Sequence, residues 1–295
     1  MMLNGLLLID KPRNISSNYS LKIIKKKLSI KKAGIVGILD PLATGMLPVV
    51  LGEATKLAQY IESYEKEYLV LCKLGSTSTT GDEEGVIKEF PSNHLPTLSK
   101  TSIASTLKSF IGKQEQIPPM FSALKVNGTK LYTLARKGIS IERKPRIITI
   151  SNIELISYDN YELIIKVICS KGTYIRTLVE QIGDNLNIGA YTKNLRRLRV
   201  GEFKEQNMVN LDDISLNINH NSRYFVNINN IVNGLKSFQL DVDDEAKIRL
   251  GQSIHKKSDS NNCQVIMKDY EKNIIGIGFI KNNYIKPKRL LNFKE

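Results

Sequence analysis

Cysteine is scarce in this chain. The three present, Cys72, Cys169 and Cys263, lie far apart and form no CxxC pair. That spacing encodes neither a disulfide framework nor a zinc knuckle, and it suits a reducing cytoplasm. Long apolar runs are missing too, and nothing approaches the roughly 20 residues that a membrane-crossing helix needs. The apolar patch Leu6 to Ile9 is cut off by Asp10 and Lys11 with no small-residue cleavage site behind it, so it reads as a first strand and not as a signal peptide. No internal repeat or low-complexity tract is present, which excludes a solenoid. Acidic residues are outnumbered, with Asp and Glu at 29 against 43 Lys and Arg, for a formal charge of +14. That excess favours a polyanionic partner, although a solvated basic face would produce part of it.

What is there is a globular composition, 41% hydrophobic over 295 residues. It is enough for one large domain and a small one. Leu21, Ile24 and Leu28 recur at helical spacing among lysines, which predicts an amphipathic helix over 17–28 behind possible caps at Ser16, Ser17 and Asn18. Gly and Pro recur from Ala33 to Pro48 and predict a loop that carries Asp40. Helical character resumes over 52–63, and 66–75 reads as a largely buried strand containing Tyr68. A turn-rich stretch over 77–85 and a helix over 102–111 follow. The basic segment 114–143, broken by Pro118, Pro119, Gly128 and Gly138, reads as a loop and short helix over the site. Strands are predicted over 145–156 and 161–175, and a helix over 177–186. Asn becomes dense after Val209 and periodicity weakens to about Asn233, which marks a linker. Short strands over 264–267, 274–280 and 284–291 make a β-rich appendage.

Three places can carry chemistry. Asp40 sits between Gly37 and Pro41, where an acid can approach a substrate without a bulky sheath, although a turn aspartate more often caps a backbone. If the strand before it continues, Tyr174 and Arg176 project from one face, an aromatic ring beside a guanidinium, suited to a flat base and an anion. Tyr68 is either a third member or an ordinary cross-strand aromatic. Arg196 and Arg197, with Lys125, Lys130, Arg136 and Lys137, are either phosphate contacts or a solvated surface.

The run Leu39-Asp40-Pro41-Leu42-Ala43-Thr44-Gly45-Met46-Leu47-Pro48, followed by Gly52-Glu53-Ala54-Thr55-Lys56, resembles the catalytic-aspartate motif of the TruB family of tRNA pseudouridine synthases. The resemblance continues in order through Gly5 to Pro12, Pro118 to Lys125, Lys171 to Arg176 and Leu195 to Leu198, and more loosely through Ile275 to Leu290. It implies an α+β fold, a mixed, largely antiparallel sheet flanked by helices. It also implies a small β-rich PUA-like C-terminal domain, with the division at 1–233 and 234–295. The activity implied is isomerisation of uridine 55 in the T loop of tRNA to pseudouridine, with the base flipped out of its loop. No metal or cofactor is expected, nor an obligatory protein partner or a membrane; a monomer acting on the tRNA T arm is the expectation. A relative that works inside a guide-RNA ribonucleoprotein is the competing form.

Carried over residue by residue, the resemblance makes Asp40 the essential carboxylate and gives Arg176 the task of pairing with it and keeping its pKa low. Tyr68 becomes the ring that stacks on the base, and Tyr174 a candidate to remove the C5 proton. Lys11, Lys125, Lys130, Arg136, Arg196 and Arg197 become RNA contacts. One departure stands out: the family's GHTG sequence is here Gly34-Ile35-Val36-Gly37. Ile35 has no polar side-chain atom, so any hydrogen bond of that histidine is lost, while its bulk is kept.

Overall fold

A computed structural model describes residues 3–91, 93, 95–216, 218, 221–232 and 234–293. The first half contains β1 (Gly5–Lys11), α1 (Ser17–Lys27), β2 (Ala33–Ile35), β3 (Thr44–Leu51), α2 (Ala58–Glu62) and β4 (Lys66–Leu74). Next come β5 (Ser76–Ser78), β6 (Ile87–Glu89), α3 (Lys100–Ser109), β7 (Gly112–Gln116), β8 (Lys125–Val126), β9 (Thr129–Lys130) and α4 (Leu131–Ala135). They lead to β10 (Arg146–Asp159), β11 (Glu162–Cys169), α5 (Ile175–Asn185), β12 (Ala190–Val200), β13 (Phe203–Lys204), β14 (Val209–Asn210) and β15 (Phe225–Asn227). The rest is β16 (Ser237–Gln239), α6 (Val242–Arg249), β17 (Ile254–His255), β18 (Cys263–Lys268), β19 (Ile274–Lys281) and β20 (Tyr284–Leu290).

The large sheet runs β14-β1-β3-β12-β4-β11-β10-β7, with β2, β13 and β15 attached at its side. Most neighbours are antiparallel; β1 with β14 and β3 with β12 are parallel. The smaller sheet, β16-β18-β19-β20-β17, is built from the C-terminal segment. The α+β architecture read from the sequence is therefore the one present.

The unbroken apolar run in β1 has a packing reason. Leu7 and Ile9 face the main core with Ile24, Val49 and Leu51, while Leu6 and Leu8 face a second core with Ile266, Ile274, Ile277 and Leu291 from the C-terminal segment. A strand covered on both faces has no position left for polar alternation. The opposite holds in β4, whose alternate residues are buried while Leu69 on the other face is 36% exposed, so this strand is half-buried where the sequence suggested a largely buried one.

Strand β11 ends at Cys169, and Tyr174 and Arg176 do not continue it. Gly172 at φ +82° turns the chain, Tyr174 becomes the N-cap of α5 and Arg176 lies in that helix's first turn. The Asn-rich stretch from Val209 adds β14 and β15 to the one edge of β1 that β3 leaves free, β14 along Ile9 and Asp10 and β15 along Gly5 to Leu7. Asn233, the boundary expected from composition, lies outside the described residues. Helix α6, with Asp241 as N-cap, was not anticipated among the C-terminal strands; its hydrophobic face is too narrow to read, since only Ile248 is buried.

The two sheets are joined through the 3₁₀ turn Gly52–Leu57. Glu53 accepts from Asn292 N at 2.7 Å and pairs with Lys32 and Lys56, and Lys56 Nζ also donates to Leu290 O at 2.7 Å. Burial alone would raise the Glu53 carboxyl, but the Asn292 N–H and the two lysines outweigh it and hold it at about 2. A carboxyl depressed on folding stabilises above its unfolded pKa, and that contribution is lost as pH falls through the folded value. We expect the stability gained between pH 2 and about pH 5 to shrink in Glu53→Gln by up to about 3 kcal/mol, less where solvent screens Lys32. Denaturant unfolding across that range checks it; parallel pH profiles for the two proteins would remove Glu53 from the joint.

Candidate active site

The chain between β2 and β3 leaves the sheet as a loop over 36–43 and is held from three sides. From α1, the Ser17 hydroxyl donates to Leu39 O at 2.8 Å and accepts from Leu39 N at 2.9 Å. From the end of β1, Lys11 Nζ donates to Pro12 O, Ile15 O and Pro41 O. From β12, Arg197 Nε donates to Met46 O at 2.6 Å and its Nη2 to Gly37 O at 2.9 Å, gripping the chain on both sides of Asp40. Gly45, at φ +93°, lets β3 approach β12 so closely that a Cβ there would stand 2.3 Å from Arg197 O. Only glycine satisfies both conditions.

Asp40 faces Arg176. The Arg176 Nε lies 2.9 Å from Asp40 Oδ2, while Nη1 donates to Thr80 O at 2.7 Å and lies 3.4 Å from Asp82 Oδ2, and Nη2 donates to Phe121 O at 2.7 Å. Asp82 is itself fixed by the Thr80 hydroxyl at 2.6 Å and by Glu84 N at 3.1 Å. Arg176 is 4% exposed, and Asp40 keeps 36% of its side chain open toward a cleft of about 610 Å³. Ile35, Lys66, Tyr68, Lys130, Arg146 and Tyr174 also line it.

Protein walls around the Asp40 carboxyl withdraw it from bulk water, and this burial raises its pKa; Arg176 and Lys11 oppose the rise and Asp82 adds to it. Arg176 pairs with Asp40 and pulls its pKa down, but burial outweighs that pull and the net shift is upward. Lys66 and Lys11 are both lowered to about 8 by burial, with Arg197 pushing each the same way. Tyr68 is 8% exposed on β4, and its hydroxyl, raised by burial, lies beside the Arg197 guanidinium.

The structure brings Asp40, Tyr68, Tyr174 and Arg176 to one cleft. It separates the six basic residues into three groups. Lys11 and Arg197, at 0% and 1% exposure, spend their donors on backbone carbonyls and are struts of the loop. Arg196 is gripped by Asp10 through two bonds and by Glu205, so its charge is already neutralised. Lys125, Lys130 and Arg136 stand on the β8–β9 hairpin and beside α4, with Lys130 and Arg136 over the Tyr132 ring. Asp82, Lys66, Gln116 and Arg146 were missed. A turn aspartate after Thr80-Gly81 was the one available signal, and nothing local marks the other three. Among the described residues no cluster of acids, histidines and cysteines could hold a metal.

The like charge at Asp82 gives a direct test of the electrostatics. Asp82→Asn should lower the Asp40 pKa, because it removes a neighbouring negative charge while keeping an acceptor for Thr80. Carbon-13 carboxyl titration of the two proteins checks this, and an Asp40 midpoint that stays or climbs would contradict it.

Residues 25–175 match the N-terminal domain of TruB family pseudouridylate synthases, residues 176–227 the tRNA pseudouridylate synthase B C-terminal domain, and residues 237–291 the C-terminal domain of pseudouridine synthase II TruB. The tRNA pseudouridine synthase B of Nitrosococcus oceani is 41% identical, covering 98% of this chain and 95% of its own. That of Marinomonas sp. is 38% identical, covering 99% and 96%. Among solved structures, a chain of an H/ACA ribonucleoprotein bound to a substrate RNA containing 2′-deoxyuridine superposes with a TM-score of 0.74 at 20% identity, covering 99% of this chain and 86% of that one. A chain of a Cbf5-Nop10-Gar1 complex gives 0.72 at 23% identity, covering 99% and 84%. At that identity these two speak for the fold alone.

Proposed function

Because this chain belongs to the TruB family of pseudouridylate synthases, we propose that it isomerises uridine 55 in the T loop of tRNA to pseudouridine, with Asp40 as the essential carboxylate. The observation that carries the reading is the Asp40–Arg176 pair at 2.9 Å, set in a cleft that Tyr68 and Tyr174 also line. The cleft's volume suits one extruded nucleotide and is far too small for a stem.

In this reading the uridine leaves its stack and Tyr68 packs against the base. Asp40, ionised, acts on the sugar by attack at C1′ or by taking the 2′ proton. The C1′–N1 bond breaks, the uracil turns, and C5 bonds to C1′ as the Asp40–C1′ bond breaks on the first route or as Asp40 returns the 2′ proton on the second, N1 taking up a proton. Tyr174 removes the C5 proton, directly or through water. Arg176, immobilised by carbonyls and Asp82, holds Asp40 at a fixed place and meets the negative charge without having to reorganise. Ile35 fills apolar space against the rearranged loop. No step calls on a metal or cofactor.

Lys125, Lys130 and Arg136 meet the RNA backbone beside the cleft, giving affinity without base identity. Lys11, Arg196 and Arg197 serve RNA indirectly, through the loop and sheet they brace. Residues 1–233 form the catalytic domain and 234–295 the PUA-like RNA-binding domain. The protein works as a cytoplasmic monomer on the tRNA T arm with no obligatory protein partner. The full-length similarity to proteins named tRNA pseudouridine synthase B supports this over the guide-RNA form.

Unmodified tRNA transcript incubated with the purified protein should gain one pseudouridine, mapped by primer extension at position 55. Asp40→Asn should abolish product while tRNA affinity stays within a few-fold; substantial turnover in that variant would remove Asp40 from the reaction. Arg176→Lys should slow single-turnover chemistry by at least about tenfold, since an ammonium cannot bridge two carboxylates and two carbonyls as the planar fork does. Log affinity should fall linearly with log salt.

A further inference from the structure

Tyr174 is the N-cap of α5 but makes no side-chain capping bond there. Its peptide is held from another element. Gln116, the last residue of β7 and 1% exposed, accepts from Tyr174 N at 2.8 Å through Oε1 and donates from Nε2 to Tyr174 O at 3.1 Å. One planar amide bonded to both the N–H and the C=O of a residue fixes that residue's position and its tilt. The ring is held by a second residue. The Arg146 guanidinium stacks 4.5 Å from the Tyr174 centroid and also donates to Gly172 O in the turn just before it.

These two grips form one unit, because Gln116 and Arg146 are direct partners in the β7–β10 ladder. They are also the last residue before and the first residue after the excursion 117–145, which carries Lys125, Lys130 and Arg136. Strand β7 lies at the sheet's edge and, among the described residues, pairs only with β10, while the excursion beyond it is tied at Pro118 O by Arg143 and at Phe121 O by Arg176.

We propose that Gln116 and Arg146 are positioning residues for Tyr174, a paired clamp at the two feet of the basic excursion that ties the placement of the tyrosine to the placement of that segment. The proposal rests on the reading of Tyr174 as part of the catalytic cleft. A shift of the excursion on engaging a phosphate backbone passes through both feet, and so reaches the Tyr174 peptide and ring together.

Gln116→Met keeps length and removes both hydrogen bonds. Its single-turnover rate on tRNA transcript should fall about tenfold while the tRNA Kd stays within about twofold. Gln116→Glu supplies a sharper readout. As a carboxylate it keeps the acceptor for Tyr174 N but faces Tyr174 O with no donor; protonated, it regains the donor. The ratio of its rate to wild type should therefore climb as pH drops from about 8 toward the range where a buried glutamic acid protonates, the Asp40 dependence cancelling in the ratio. Arg146→Lys, which keeps charge but loses the planar stack, should slow chemistry with the same unchanged Kd, and it stands in if Gln116→Met fails to fold.

A Gln116→Met rate equal to wild type, a ratio flat with pH, or a rate loss fully explained by weaker tRNA binding would each overturn the clamp. Its failure is separable from failure of the assigned activity. In free protein, with no turnover involved, the Tyr174 ring resonances should shift in Gln116→Met and Arg146→Lys; unchanged resonances would refute the clamp even in an active enzyme. A wild type that forms no pseudouridine, with the resonances shifted, would refute the activity alone.

Discussion

Burying a guanidinium is tolerable only when its donors find partners and its charge finds an opposite, and Arg176 meets that condition with groups from three separate parts of the chain. Asp40 comes from the loop after β2, Thr80 and Asp82 from the turn after β5, Phe121 from the basic excursion, and the arginine itself from α5. None of those segments can move far without stranding a buried donor. The site's rigidity follows from that requirement more than from any single strong bond. Burial is why a salt-bridged carboxylate at 2.9 Å still has its pKa raised, and the negative charge of Asp82, which shares the same cation, adds to the rise.

The loop that carries Asp40 has no regular structure of its own, so its shape is imposed by neighbours. Ser17, Lys11 and Arg197 meet its carbonyls from a helix, a strand end and a parallel strand. Two of these are cations taken out of water for a purpose that a neutral donor would serve at lower desolvation cost. The gain is reach, since a long side chain can span from the sheet to a loop standing off it.

Much of this was legible in the residues. The doubly apolar Leu6 to Ile9 run, the helix behind Ser16 and the loop around Asp40 all follow from local chemistry. The cleft's composition did not follow from it; that came from resemblance to a family. Local chemistry failed where tertiary contacts decide. Tyr174 and Arg176 looked like strand neighbours because they stand two apart just beyond the apolar strand that ends at Cys169, yet Gly172 and the amide of Gln116 turn the chain into a helix. Arg196 and Arg197 looked like phosphate ligands because a basic residue reads as a surface residue, and Lys11 joined them through the resemblance; no local pattern tells a strut from a rim. Asp82 and Gln116 reach the site through Arg176 and Tyr174, roughly 60 to 100 residues away, a separation that periodicity cannot register.

The joint between Glu53 and Asn292 spans 239 positions of sequence. A ribosome adding some 5 to 20 residues each second takes roughly ten to fifty seconds to make that stretch. Through that interval Leu6, Leu8, Val50 and Leu57 wait without Ile266, Ile274, Ile277 and Leu291, which later cover them. The second face of the first strand therefore stays incompletely covered for most of the chain's synthesis, packed against Met46, Ala54 and Ile61 but still open where the C-terminal residues will complete its core.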